Sequence, residues 1–303
     1  MSDTYDPRPG EAVTLAPGLR VVLCPNPSPM TFHGTNTFLL GKKRLAIIDP
    51  GPQVAAHEEA LVRAVGAAEV SHILVTHSHV DHSPLAGPLA RRFGAPVLAF
   101  GDSRAGRSPV MDRLAGAGLA GGGEGVDAGF VPDQVLQDGA VIGGDGWDLE
   151  AIHTPGHMGN HLAFRWGRAV FVGDLVMGWA SSLVSPPDGD LADFMASCRR
   201  LKALAPEVLY AGHGAPITSP LDRLDWLMNH RMARSDQIVT VLRDGPADLS
   251  VLTERVYTDV PKAMHPAAAR NLFAHLVQLD QDGIVTATPE LGLAATFTLK
   301  VSA

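Results

Sequence analysis

The stretch Thr76-His77-Ser78-His79-Val80-Asp81-His82 constrains this chain more than any other, because four metal-binding groups fall within six consecutive positions. The residues before it, VSHILVTH (70–77), are β-branched and apolar and predict a buried strand ending near His77. HVDHSPLAGPLARRFG (79–94) then predicts a loop passing into a helix that stops at Gly94, and APVLAF (95–100) predicts the next short strand. The ligating groups therefore fall in the turn after a strand, where side chains converge more readily than along a helix. His77 and His79, two apart at a strand end, can grip one ion. Asp81 and His82, further round the turn, can face a second.

Four residues cannot close two metal sites, so further ligands are required downstream. Three segments offer them, each after a short apolar run. LEAIHTPGHMGNH (149–161) places His157 in a Pro-Gly turn. AVFVGDLV (169–176) predicts a strand ending at Gly173, whose missing side chain lets Asp174 enter a crowded site. EVLYAGHG (207–214) holds His213 between two glycines.

Composition narrows the class of protein. A chain of 303 residues, 46% hydrophobic and 18% charged, with 32 Gly and 23 Pro, is globular and loop-rich and long enough for two domains. No run of about 18 apolar residues is present to span a bilayer. The first twenty residues lack a charged-then-apolar leader pattern, and with Cys24 and Cys198 alone there is no disulfide framework, so a cytoplasmic location is expected. A formal charge of −8 works against broad attraction to nucleic acid or anionic membrane. Neither a G-x-S-x-G elbow nor a G-x-x-x-x-G-K-[ST] loop occurs, which leaves serine-hydrolase and P-loop chemistry without support.

The H-x-H-x-D-H signature, taken with the three downstream segments, resembles the metallo-β-lactamase superfamily over roughly residues 14 to 215. The resemblance implies an α/β fold, a four-layer αββα sandwich of two mixed sheets with the site along one edge. It implies that His77, His79 and His157 bind a first metal, that Asp81, His82 and His213 bind a second, and that Asp174 bridges both. Two divalent ions are then expected, zinc first, with iron, manganese or cobalt as alternatives according to supply. The implied activity is hydrolysis of an ester, thioester, lactone or phosphodiester by a metal-bridging hydroxide, with Asp81 also accepting a proton and His161 orienting substrate. Asp49, in LAIIDPGP (45–52), is either the aspartate that buttresses a ligand loop in this superfamily or an ordinary turn residue. His153 stands behind a ligand or in a structural role, and His57, His72, His230, His265 and His275 are packing or surface residues.

After Pro220 the pattern turns helical. Leu221, Leu224, Leu227, Met228, Met232, Ile238 and Leu242 predict one amphipathic helix, 249–257 and 265–283 predict two more, and 284–301 predicts two strands around a turn. Three helices and a hairpin make a winged-helix-like unit over 220–303, following a catalytic domain over 1–219. With GTNTFLLG (34–41) and DVPKAMHPAAARNLFAHL (259–276), this arrangement resembles a beta-lactamase-like endoribonuclease subgroup, which makes single-stranded RNA an alternative substrate. The basic residues of the unit are spread out, however, and the third helix offers only Arg270. The unit is therefore expected to pack against the sandwich, shape the pocket or form a homodimer contact, with a small molecule as substrate.

Two other functions stand further back. A mononuclear iron persulfide dioxygenase has similar ligand histidines. Antibiotic β-lactamase activity is disfavoured because Asp174 stands where the common zinc β-lactamases use Cys. The Gly-rich segment 104–129 is expected to be a mobile lid or wall over the metals, or else an exposed insertion.

Overall fold

A computed structural model of the chain describes residues 7–121 and 125–300. Its first sheet holds seven strands in chain order: β1 (Ala12–Ala16), β2 (Leu19–Leu23), β3 (Asn36–Leu40), β4 (Arg44–Ile48), β5 (Glu69–Leu74), β6 (Val97–Ala99) and β7 (Gln134–Val135). The second holds β8 (Val141–Gly143), β9 (Asp148–His153), β10 (Leu162–Trp166), β11 (Ala169–Gly173) and β12 (Val208–Ala211), in the order β12-β11-β10-β9-β8. Every residue of β3 and of β11 is buried, so both faces of each sheet are covered.

The period-two alternation of strands sorts these residues into layers. Phe38, Leu40, Ala46 and Ile48 of the first sheet meet Leu149, Leu162, Phe164 and Phe171 of the second in the central core. The intervening Leu39, Leu45 and Ile47 face outward onto helices α1 (Ala55–Val65) and α2 (Ala86–Phe93). Ala163, Val170 and Val172 do the same on the other side, against α4 (Leu191–Ala203), α3 (Pro109–Gly116) lying between the two in sequence. The result is helix–sheet–sheet–helix, the expected sandwich.

Chain direction explains where the site forms. Strands β4, β5 and β6 are mutually parallel, β11 and β12 are parallel, and β9 runs the same way because β10 is antiparallel to both β9 and β11. Parallel neighbours need crossover helices, which leaves their carboxyl ends free for loops along one edge. Asp49 follows β4, the His77–His82 turn follows β5, His157 follows β9, Asp174 follows β11 and His213 follows β12. Asn36 ties the two sheets together at this edge: its amide nitrogen Nδ2 donates to the carbonyls of Ala211 at 3.0 Å and Gly214 at 2.9 Å.

The C-terminal unit contains α5 (Pro220–Leu242), α6 (Leu249–Val256), α7 (His265–Gln281) and a three-stranded sheet of β13 (Ala247–Asp248), β15 (Thr296–Leu299) and β14 (Val285–Thr288). This is the expected winged helix, with β13 as an added edge strand. The stripe on α5 differs from the expected one. Leu224, Leu227, Ile238 and Leu242 are buried, but Leu221 and Met232 are exposed, and Arg231 and Arg234 point inward. Apolar periodicity misplaces this face because the residues it must bond, on another part of the chain, are backbone carbonyls.

Two further expectations are revised. Strand β5 ends at Leu74, three residues before His77, so the ligand turn is longer than the apolar run suggests. Part of the 104–129 segment folds as α3, capped by Ser108 with Pro109 at its first position. Val110, Met111 and Leu114 of α3 enter the core of the C-terminal unit. Residues 122–124 of the Gly-rich stretch lie outside the described residues. Among the described residues no helix is long and apolar enough to cross a membrane. Leu114→Ala is expected to lower stability by about 2–5 kcal/mol in urea unfolding; an unchanged midpoint would mean that this segment is an appendage after all.

Candidate metal centre

His77, His79 and His157 form one group of side chains, and Asp81, His82, Asp174 and His213 form another. Within each group, one ligand atom per residue lies within 4.8 Å of the others, and all seven residues are buried. Asp174 joins the groups. Its Oδ2 lies 3.2 Å from His213 Nε2 and 3.9 Å from His157 Nε2, while its Oδ1 lies 3.4 Å from His82 Nε2. Asp81 Oδ2 is 3.2 Å from His213 Nε2.

The far nitrogen of most of these histidines is held by a neighbour that decides which ring nitrogen carries the proton. His157 Nδ1 donates to the Leu183 carbonyl at 2.7 Å, and His213 Nδ1 donates to the Gly34 carbonyl at 3.0 Å. His82 Nδ1 donates to Asp49 Oδ2 at 3.0 Å. Thr76 Oγ1 gives its own proton to Asp49 Oδ2 at 2.8 Å and so accepts from His77 Nδ1 at 2.9 Å. In the neutral rings the inward nitrogens therefore carry the lone pair. His77 Nε2 and His157 Nε2 each lie 3.0 Å from His79 Nδ1, an approach of basic nitrogens that a shared cation satisfies. In the second group, His82 Nε2, His213 Nε2, Asp81 Oδ1 and Asp174 Oδ1 are buried without a hydrogen-bond partner. Nitrogen and oxygen donors in these numbers fit two divalent ions.

The protonation states agree with that fit. Burial pushes His77 well below the usual imidazole range, with the nearby His82 and His79 acting in the same sense, and takes His79 down to about 3. In the second group burial is outweighed by charge. The Asp174 and Asp81 carboxylates raise His213 to about 10, and together with Asp49 they raise His82. Against burial, His82 and His213 hold Asp81 down at about 2. Protons on His82 and His213 thus balance the two carboxylates when no cation does.

Glycine makes the approach possible at two points. Gly173 has φ 45°, and a Cβ there would lie 2.6 Å from His161 Nε2 and 2.8 Å from Thr76 Oγ1. A Cβ on Gly212 would lie 2.4 Å from Asp174 Oδ1. Both strands can therefore deliver their ligands only with no side chain at the preceding residue.

Of the other residues named from the sequence, Asp49 serves as the buttress. Its Oδ1 accepts the Thr76 amide at 2.7 Å, and its Oδ2 accepts from Thr76 and His82. His161 is fully buried behind His77, its ring 5.2 Å away, with Nδ1 on Thr154 Oγ1 at 2.9 Å and Nε2 unpartnered. It does not line the cleft. His153 stacks on Phe100 at 3.8 Å and bonds the Gly159 carbonyl at 2.9 Å. His57 is a core residue with a task not legible in the sequence. Its Nε2 donates to Thr37 Oγ1 at 2.8 Å, and that hydroxyl donates to the Asp49 carbonyl at 2.7 Å, holding Asp49 at φ 51°.

The Gly-rich segment returns to the ligand turn as a wall. Val80 N donates to Gly125 O at 3.1 Å, Asp127 N to Ser78 O at 2.9 Å and Ser83 Oγ to Asp127 Oδ2 at 2.9 Å. A narrow cleft of about 20 Å³ opens onto His79, Asp81, His157 and Asp174. Met30, Met177 and Leu183, none of them singled out by motif, complete its lining. Two residues beyond Met30 and Met177 in sequence, Phe32 and Trp179 stack at 4.9 Å while 41% and 37% exposed, and Trp179 Cδ1 would lie 2.9 Å from a Cβ on Gly214, beside His213.

This sandwich, with its His/Asp cluster at the strand ends, defines the class. Residues 30–213 match the metallo-beta-lactamase superfamily and residues 249–292 the beta-lactamase associated winged helix domain. The chain belongs to the metallo-beta-lactamase superfamily and is a hydrolase of that family. Among curated proteins it is similar to a beta-lactamase-like protein 2 homolog of Caenorhabditis elegans, at 30% identity over 87% of this chain and 84% of that one. It is also similar to an atrochrysone carboxyl ACP thioesterase of Aspergillus fumigatus, at 28% identity over 77% of this chain and 68% of that one. A metallo-beta-lactamase family protein from Thermus thermophilus superposes with a TM-score of 0.75 at 26% identity, covering 95% of this chain and 100% of the other.

Asp174→Ala is expected to lower occupancy of both metals, and His213→Ala mainly that of the second, by metal analysis of the purified variants. Full occupancy in both would contradict the assignment. Asp49→Asn, which leaves the ligands in place, is expected to weaken zinc binding about 10- to 100-fold in chelator competition.

Proposed function

We propose that this chain is a dinuclear metal-dependent hydrolase acting on an acyl ester or thioester. The observation that carries the reading is the lining of the cleft, where Met30, Met177 and Leu183 face the His/Asp cluster and no lysine or arginine is present among the described residues. An apolar wall suits the carbon side of an acyl group, for which the cleft of about 20 Å³ must widen beyond a water-sized space, and the exposed Phe32–Trp179 stack adds a flat apolar surface. The thioesterase name of the Aspergillus fumigatus relative supports the same bond type.

Bound at the seven residues, two divalent cations would supply Lewis acidity toward the carbonyl oxygen and an activated water at neutral pH. The chain's own groups do the rest. Asp81 Oδ1, buried and unpartnered, is positioned to accept a proton. His161, pressed against Gly173 from behind, supports the backbone path into Asp174 and shapes the site without touching substrate. The methionines and Leu183 limit water around the acyl group.

Phosphodiester cleavage on RNA is the weaker reading because several cations of the C-terminal unit are spent internally. Arg270 donates to the carbonyls of Ala120, Gly121 and Pro186, Arg234 donates to Val256, and Arg255 pairs with Asp244. A phosphate backbone would have to displace these bonds.

A panel of acyl thioester, aryl ester, lactone, bis-aryl phosphodiester and single-stranded RNA tests the proposal on metal-loaded protein. Acyl hydrolysis is expected, lost in Asp174→Ala. Trp179→Ala is expected to raise KM for aryl substrates roughly 2- to 10-fold with kcat little changed. RNA cleavage without acyl hydrolysis would overturn the reading, as would one iron per chain with oxygen uptake and no hydrolysis.

A further inference from the structure

Helix α5 is amphipathic in an unusual way. Arg231, on its inward face, is 1% exposed and is among the largest fully buried side chains of the protein. Among the described residues it has no carboxylate partner. Burial brings its guanidinium down to about 10, which leaves it protonated at neutral pH. Its two terminal nitrogens go instead to a strap, residues 177–184 between β11 and α4, and to a residue of α7 that also holds the strap. Nη2 bonds the carbonyls of Ser181 and, at 2.5 Å, Ser182. Nη1 bonds Asn271 Oδ1 of α7 at 2.8 Å, and the same Oδ1 accepts the Val184 amide at 3.2 Å. About two turns earlier on α5, Arg223 bonds the carbonyls of Met177 at 2.7 Å and Ala180 at 2.5 Å.

The residue enclosed by these bonds is Leu183. The peptide groups of its neighbours, Ser182 and Val184, are held by Arg231 and Asn271, and its own carbonyl accepts from His157 Nδ1 at 2.7 Å. A rigid carbonyl there fixes both the ring plane of His157 and which nitrogen faces the metal group. A buried cation is a weak source of stability compared with an apolar side chain of the same size. What the guanidinium supplies that an apolar chain does not is direction.

We propose that Arg231 and Asn271 are positioning residues for the metal centre: through the Leu183 carbonyl, the C-terminal unit orients His157 and so sets the affinity of the first metal group. On this account the winged helix is a clamp on the active-site strap. The inference rests on His157 as a ligand and is independent of which bond the enzyme cleaves, because it is read in metal affinity and not in turnover.

The test compares two buried arginines on the same helix. Arg231 reaches the strap, whereas Arg234 bonds Val256 and lies over the Tyr257 ring, within the C-terminal unit. Zinc affinities of the two groups are measured on full-length protein by chelator competition, with thermal unfolding alongside. Arg231→Met is expected to weaken the first zinc about 10- to 100-fold and leave the second near wild type. Arg231→Lys is expected to recover part of that loss, and Arg234→Met to lower the melting temperature with zinc affinity retained. In a His157→Ala background, Arg231→Met should have no further effect on zinc. If Arg231→Met does not fold, Asn271→Ala carries the same expectation. Wild-type zinc affinity in the folded Arg231 or Asn271 variants would overturn the proposal, and so would equal zinc loss in Arg234→Met or an additive loss in the His157→Ala background.

Discussion

Burying the Asp174 carboxylate among imidazoles is the constraint around which the rest of the structure is arranged. Two carboxylates and five histidines occupy a space from which water is nearly excluded, and several of their inward atoms have no protein partner. Such a cluster is costly unless positive charge fills it. Protons on His82 and His213 do part of that work in the second group, while the first group remains a set of neutral nitrogens turned toward one another. The same features that would destabilise an empty core make the cluster a strong receptor for divalent ions.

Holding it open requires support from every layer. The parallel strands bring their carboxyl ends to one edge, and Gly173 and Gly212 let ligands approach where a Cβ would collide. Behind the ligands runs a second set of contacts. Asp49 links Thr76 to His82, His57 and Thr37 fix Asp49, and Gly34 and Leu183 supply carbonyls to His213 and His157. The C-terminal unit joins this set through Arg223, Arg231 and Asn271, so it is continuous with the site as well as with the core.

Much of this was legible in the sequence because it is written in short local patterns. The ligand turn, the glycines beside Asp174 and His213, the helix stop at Gly94 and the order of helices and strands after Pro220 all follow from spacing within a few residues. What was not legible depends on partners distant in the chain. Arg231 reads as a solvated residue on a helix until the strap it bonds, fifty positions earlier, is placed beside it. His57 carries no motif, since its role appears only when β3 brings Thr37 against the Asp49 turn. The cleft lining by Met30, Met177 and Leu183 is equally hidden, because three unrelated loops supply it. The end of β5 falls short of His77 because ladder pairing stops at Leu74, although Val75 is still buried and its amide still bonds the Leu98 carbonyl at 3.0 Å.

The central claim is that these seven side chains hold a pair of metal ions with nitrogen and oxygen ligands alone. X-ray absorption at the metal edge on protein purified without added metal tests it most directly. The account predicts a light-atom shell near 2.0–2.2 Å, as nitrogen and oxygen ligands give, together with a metal–metal scattering vector at about 3.5–4 Å. A sulfur shell, or a fully loaded protein with one metal and no such vector, would contradict it.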